Sequence, residues 1–360
     1  MLEDTLVVDA VVHPYNLAPE NRVPETLEQL EAVHAYHRLC TGPNPDYVLA
    51  ADEFLIDFDH EALTHAIFAE SPVDLAIIHA LPNLGFTQGG VTDPYRMAEL
   101  RDRYPGRYLL YATVDTPVTD TAIKELEAQV HELGVDGLKL YPAFFYDGEG
   151  HCWRMDGQDF ATPLLEAARD LGIRNVAVHK AIPVPPAPLE CFRIGDLDAA
   201  LERFPDINFH IVHAGVAFLP ETSELLSRHP NLYANLESTF SYILTKPRIF
   251  AEAIGTLLNA GGADRLLFGS GANLTHPRLL LETFAQFEMP DDLVEERGYP
   301  ALTPEIRDKI LGANALRLHG LRAEDVRDRI KGDAFETDKE AGYGPPWRLL
   351  REQLASRARP

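Results

Sequence analysis

Leu6-Val7-Val8-Asp9-Ala10-Val11-Val12-His13 is an apolar run broken once by an aspartate and ended by a histidine. A short run rich in β-branched residues reads as a strand buried on both faces. Seven more follow: Val73 to His79, Arg107 to Val114, Val135 to Tyr141, Asn175 to His179, Asn208 to His213, Asn231 to Glu237 and Arg265 to Ser270. Helical-period segments lie between them. Asp120 to Leu133 sets Ile123, Leu126 and Val130 on one face, and Ala161 to Leu171 sets Leu164, Leu165 and Ala168 on another before Gly172 stops it. Eight strands alternating with helices in 360 residues predict an α/β fold, a (β/α)8 TIM barrel.

Outward from the strands, the barrel is expected over residues 1–320. Glu20 to Asp59 is a long insertion after the first strand, helical around Leu27 to Leu39 and then turned by Gly42-Pro43-Asn44-Pro45, and it is expected to roof the active face. Ile182 to Pro188 is a proline-rich loop, and Gly85 to Gly90 is glycine-rich without the lysine of a phosphate loop. Residues 321–360 form a charged extension, carrying Trp347, that is expected to pack on the barrel or on a partner.

The formal charge of −24 leaves no basic patch for phosphate contacts, which argues against nucleic acid or an anionic membrane as partner. Cys40, Cys152 and Cys191 are few and far apart, so neither a disulfide framework nor a cysteine zinc site is expected, and a reducing cytoplasm is the natural setting. The start of the chain lacks the pattern of a signal peptide, and no run of about 18 apolar residues occurs.

The strand ends carry the chemistry. In this architecture they deliver side chains to one mouth. Here they present His13, His79, Asp115, Lys139 with Tyr141, His179, His213 and Glu237 in chain order. A single strand-end histidine is ordinarily a hydrogen-bonded core residue, but four of the chain's 14 at strand ends argue for convergence on a cation. His34 and His37, three apart on the inserted helix beside Tyr36, are within reach of a ligand, although histidines on a helix surface are ordinarily solvated or packed. His276, five residues past Gly271, is a candidate substitute ligand.

At this point the chain resembles the amidohydrolase-related barrels typified by aminocarboxymuconate semialdehyde decarboxylase. The resemblance rests on Val8-Asp9-Ala10-Val11-Val12-His13-Pro14, Gly137 to Leu140, Val178-His179, Phe204-Pro205-Asp206 through His213-Ala214-Gly215, Leu267 to Ser270, and Ile310 to Leu318. It implies a metal-dependent hydrolase fold whose divalent ion is held by a His-x-His pair on the first strand, a fifth-strand histidine and an eighth-strand aspartate, with the sixth-strand histidine close by. This chain has Val11 for the first histidine and Gly271 for the aspartate, while His13, His179 and His213 are kept.

The resulting expectation is a remodelled site holding at most one divalent metal (Zn, Mn or Fe) through His13, His179 and His213, in a homo-oligomer or with a catalytic paralogous barrel. The alternatives are an active metal-dependent hydrolase or decarboxylase of a small carboxylated molecule, an Fe or Mn oxygenase, or a metal-free ligand-binding barrel. In an active enzyme Glu237, Asp115 and Lys139 are the catalytic candidates, and Lys139, Tyr141 and His79 would bind substrate.

Overall fold

Strand β1, Val7–Val12, is buried at all six positions, as a run with no polar alternation requires. In the computed structural model, which describes residues 5–357 apart from 43, 84, 86, 147, 148 and 341, seven further strands follow it around one parallel sheet. They are β2 (Val73–His79), β3 (Tyr108–Thr113), β4 (Gly137–Leu140), β5 (Asn175–His179), β6 (Asn208–Val212), β7 (Leu232–Asn235) and β8 (Leu266–Leu267). Neighbours pair in chain order. The sheet closes where Ala10 N donates to Phe268 O at 2.9 Å and Gly271 N to Val11 O at 2.9 Å. This is the TIM barrel expected from the strand pattern.

Two apolar layers hold it. Val8, Ala10, Leu75, Ile77, Tyr111, Ala177, Tyr233 and Leu267 fill the interior. A larger layer between sheet and helices contains Leu126, Leu164, Leu165 and Ala168, the residues whose spacing marked the covering helices Thr119–Leu133 and Ala161–Asp170. Gly134, at φ +63°, ends the first of these in the left-handed conformation that favours glycine.

The insertion contains a helix over Leu27–Thr41. His37 pins it: Nδ1 lies 2.7 Å from Leu274 O and Nε2 accepts from Leu49 N at 2.8 Å, so this histidine is a structural tie. Past the barrel, helices Ala323–Ile330, Ala334–Glu340 and Arg348–Arg357 run back along its side. Trp347 is buried against His276, and Glu70 accepts from Trp347 N at 2.7 Å, Arg348 N at 3.0 Å and His276 Nε2 at 3.1 Å. His276 is thereby committed to the tail and does not stand in for a ligand.

Two features were not expected. Ala143–Tyr146 pairs antiparallel with Glu149–Cys152 as a hairpin after β4. Cys152 and Cys191 are disulfide-bonded, which corrects the expectation that the cysteines form no disulfide framework; Cys40 is free. Sequence distance hid the pair, because 39 residues separate two cysteines that the barrel sets side by side. The first four residues, Pro43 of the Gly-Pro-Asn-Pro turn, Phe86 of the glycine-rich stretch and the last three residues of the tail lie outside the described residues. No helix among the described residues is long and apolar enough to cross a membrane.

Candidate active site

The carboxyl ends of the strands bring one polar cluster into the mouth. His13 follows β1, with Nδ1 at 3.1 Å from His79 O, so that nitrogen carries the proton and Nε2 keeps its lone pair. His179 ends β5 and places Nε2 3.2 Å from Ile182 O, leaving Nδ1 as the acceptor. His213, just after β6, sets Nε2 3.0 Å from that Nδ1 and lays its own Nδ1 against Glu237 Oε2 in a tight ion-pair contact. Ser238 Oγ lies 2.8 and 2.9 Å from the two Glu237 oxygens.

His213 at φ +70° and Ser238 at φ +61° hold left-handed backbone that residues with a Cβ rarely adopt. Such strain at two successive strand ends, on the residues flanking one carboxylate, is the kind that surrounding structure maintains at functional sites. Gly271 explains the third position. Its φ is +66°, and a Cβ built there would sit 2.2 Å from Glu237 Oε1. The Glu237 carboxylate fills the space that an eighth-strand side chain would need. Val11 is buried in the interior layer beside Gly269 and offers no donor.

Lys139 projects from β4 with its side chain fully buried. Its Nζ stands 4.8 Å over the Tyr141 ring and has no hydrogen-bond partner. Burial pulls the amine down to about 7, against the pull of the Glu237 charge. Tyr141 stacks on His179 at 4.5 Å between ring centres, and Tyr15 stacks on His13 at 5.5 Å. Burial, reinforced by Lys139, lowers His13 to about 3; burial also holds His79 and His179 far below the ordinary histidine value, so all three stay neutral at pH 7. For Glu237 burial pushes the other way, but the adjacent His213, with the Ser238 hydroxyl, holds it below the ordinary carboxylate value.

His79 and Asp115 sit differently from the rest. His79 stacks on Tyr111 inside the barrel, at 4.8 Å, with Nδ1 unpartnered. Asp115 accepts from Asn83 N at 2.8 Å, is raised by burial, and lines a narrow cleft with Asn83, Tyr141, Phe144 and Trp153. The cluster thus joins His13, Lys139, Tyr141, His179, His213 and Glu237, with Asp115 at its approach. Sequence reading missed Ser238, whose role depends on its unusual backbone conformation.

Whether these residues suit a divalent ion is a question of donors. Two neutral histidines are each fixed by a carbonyl on one nitrogen and present a lone pair on the other, and His213 rests on a carboxylate; this is the outer support that ligating histidines receive. The 3.0 Å between His179 Nδ1 and His213 Nε2 matches a shared proton, and it also matches two nitrogens side by side on one ion at about 2.1 Å each. Among the described residues, no three such side chains close on one ion-sized point. The donor set suits an ion in the type and orientation of its nitrogens.

The amidohydrolase family profile matches residues 58–321. No curated protein matches the chain. Among solved structures it is similar to an uncharacterized TIM-barrel protein from Bordetella bronchiseptica (TM-score 0.65, 19% identity, 87% of this chain and 98% of that one). It is also similar to a 2,6-dihydroxybenzoate decarboxylase from Rhizobium (0.56, 17%, 88% and 99%). A third is the 5-carboxyvanillate decarboxylase of Novosphingobium aromaticivorans, solved with manganese and 3-methoxy-4-hydroxy-5-nitrobenzoic acid (0.56, 14%, 89% and 99%). At these identities the likeness is one of fold. The family profile runs from ahead of β2 to beyond β8, most of the chain, and the protein belongs to the amidohydrolase family.

Proposed function

We propose that this barrel is an active enzyme that decarboxylates or hydrolyses a small carboxylated molecule, in a site rebuilt around Glu237. The observation that carries the reading is the Glu237 carboxylate standing where a side chain at 271 would be. A site that had lost its acidic group without replacement would support a silent subunit; a carboxylate relocated from β7, buried and gripped by Ser238 and His213, supports retained chemistry.

Lys139 gives the substrate class. A buried ammonium without a partner is costly, and a ligand carboxylate entering beside Tyr141 would supply the missing acceptor. Such a ligand is held at one end by Lys139, flanked by Tyr141 and Tyr15, and faces His13, His179 and His213. Glu237 stays ionised and fixes the orientation of His213, through which a proton can be passed to or from the ligand. His13, His179, His213 and Glu237 are the residues that would hold a divalent ion, which when bound supplies Lewis acidity to a substrate oxygen. The manganese in the carboxyvanillate decarboxylase structure supports testing that metal first.

The test is titration calorimetry with 2,6-dihydroxybenzoate and with resorcinol, the same ring without its carboxyl group, on wild-type and Lys139→Met protein incubated with Mn(II). We expect wild-type protein to prefer the carboxylate at least tenfold and Lys139→Met to lose that preference, with carbon dioxide release confined to wild-type. Equal affinity of wild-type protein for both, repeated over a panel of small carboxylates, removes the reading.

A further inference from the structure

The hairpin after β4 and the loop after β5 meet over the approach to Lys139, and their union has a chemistry of its own. Gly150 lies so close to the loop that a Cβ on it would fall 2.4 Å from Ala187 Cα. Phe144 and Trp153, at the two ends of the hairpin, line the cleft shared by Asp115 and Tyr141, and Tyr141 stacks on His179. The apolar support beneath is slight: Ala143, Ala187, Cys191 and Phe192 form a small cluster separate from both barrel layers. The Cys152–Cys191 disulfide is the covalent tie between the two segments.

That tie touches the site at its far end. Cys191 O accepts from Lys180 Nζ at 3.0 Å, Phe192 O accepts from Ala181 N at 3.1 Å, and the Phe192 ring meets His179 edge-on at 6.0 Å. Ile182, whose carbonyl orients His179, belongs to the same loop. Cys152 is exposed while Cys191 is buried, so a reductant in solution can reach one sulfur of the bond.

We propose that Cys152 and Cys191 form a redox-controlled clasp that closes the hairpin over the mouth, and that a dithiol reductant opens it. The thiolate of the dithiol attacks Cys152 Sγ, the S–S bond breaks and Cys191 leaves as a thiolate that takes up a proton. The second thiol of the reductant then displaces Cys152, so two electrons and two protons pass to the protein and the reductant leaves as its disulfide. With the bond gone, no covalent tie joins hairpin to loop, which then rest on the small cluster and on the packing of Phe145 and Trp153 against the barrel layer, and opening exposes the path past Tyr141 to Lys139.

The experiment compares wild-type protein after treatment with a disulfide oxidant and after reduction with dithiothreitol, with a Cys152→Ser, Cys191→Ser double variant beside them. Amide hydrogen exchange by mass spectrometry in the hairpin strands and in residues 182–192, and the rate of Lys139 acetylation by acetic anhydride, are the readouts. We expect reduction to raise exchange in both segments, and acetylation of Lys139, at least tenfold while β6 and β7 stay within twofold, and the double variant to match the reduced protein under either treatment. Unchanged exchange, unchanged acetylation of Lys139, or absence of a Cys152–Cys191 linked peptide in oxidised protein each overturns the proposal. Should the double variant not fold, the oxidised and reduced wild-type comparison decides.

Discussion

A side chain at position 271 would meet two obstacles at once: backbone at φ +66° and the Glu237 carboxylate in its path. Gly271→Ala is therefore expected to cost about 2 kcal/mol or more in urea unfolding, and removing the obstacle with Glu237→Ala in the same chain should recover part of the loss. A purely additive double variant would show that the two positions do not compete. Lys139 makes a second prediction through its charge. A carboxylate ligand needs the ammonium, and the free amine titrates at about 7, so affinity for 2,6-dihydroxybenzoate should fall by up to about tenfold per pH unit above that value. Lys139→Met should abolish the pH dependence and raise the melting temperature, since a buried, unpartnered cation is replaced by an apolar chain of similar length. At this scale the sequence was informative where a strand end announces itself, as with His13, His179 and Glu237. It was uninformative for Ser238, whose hydroxyl matters only because an unusual φ turns it onto Glu237.

The tail shows how an element is held. Burial alone would raise Glu70, yet hydrogen bonds from His276 and His65, with the Trp347 amide, outweigh it and hold the carboxyl at about 2. Its folded value is below its ordinary one, so the stabilisation is present above about pH 4.5 and is lost as pH falls toward 2. Glu70→Gln should cost about 2 kcal/mol in urea unfolding and should make the Arg348–Arg357 helix a protease-sensitive segment at neutral pH. An intact helix under limited trypsin digestion would show that the tail is held by Trp347 packing instead. Apolar periodicity located the strands to within two residues at every end but one; the difference of three at the end of β8, itself two residues long, arises because the chain there leaves the ladder to carry Ser270 and Gly271 toward the site. The hairpin was missed although Asp147-Gly148 stands between its two strands in the sequence, because Glu149 to Cys152 lacks the apolar alternation that marks a strand.

For the molecule as a whole, the seam between β8 and β1 is its least ordinary feature. Few ladder bonds cross it, and Asp9 reinforces it by accepting from Ser270 N at 2.9 Å and from the Ser270 hydroxyl. Burial raises Asp9 to about 7, more than these bonds lower it. Between about pH 4 and 7 the folded chain keeps a proton that the unfolded chain gives up, so this group's contribution to stability declines as pH rises through that window. Asp9→Asn should flatten the corresponding slope in a plot of melting temperature against pH, measured as the difference from wild type; parallel curves would contradict the protonated seam. Eight strands, their order and the mouth were thus readable in advance, whereas the closing contacts, made between residues some 260 positions apart, were not.

Those long spans also set a schedule for synthesis. Glu70 acquires its Trp347 partner only after 277 further residues have been made, a wait of roughly 15 to 55 seconds at 5–20 residues per second. Through that interval the nascent barrel carries a carboxylate destined for burial whose amide partners do not yet exist. A ribosome stalled before residue 347 would hold a chain with every strand present and the flank beside Glu70 still open.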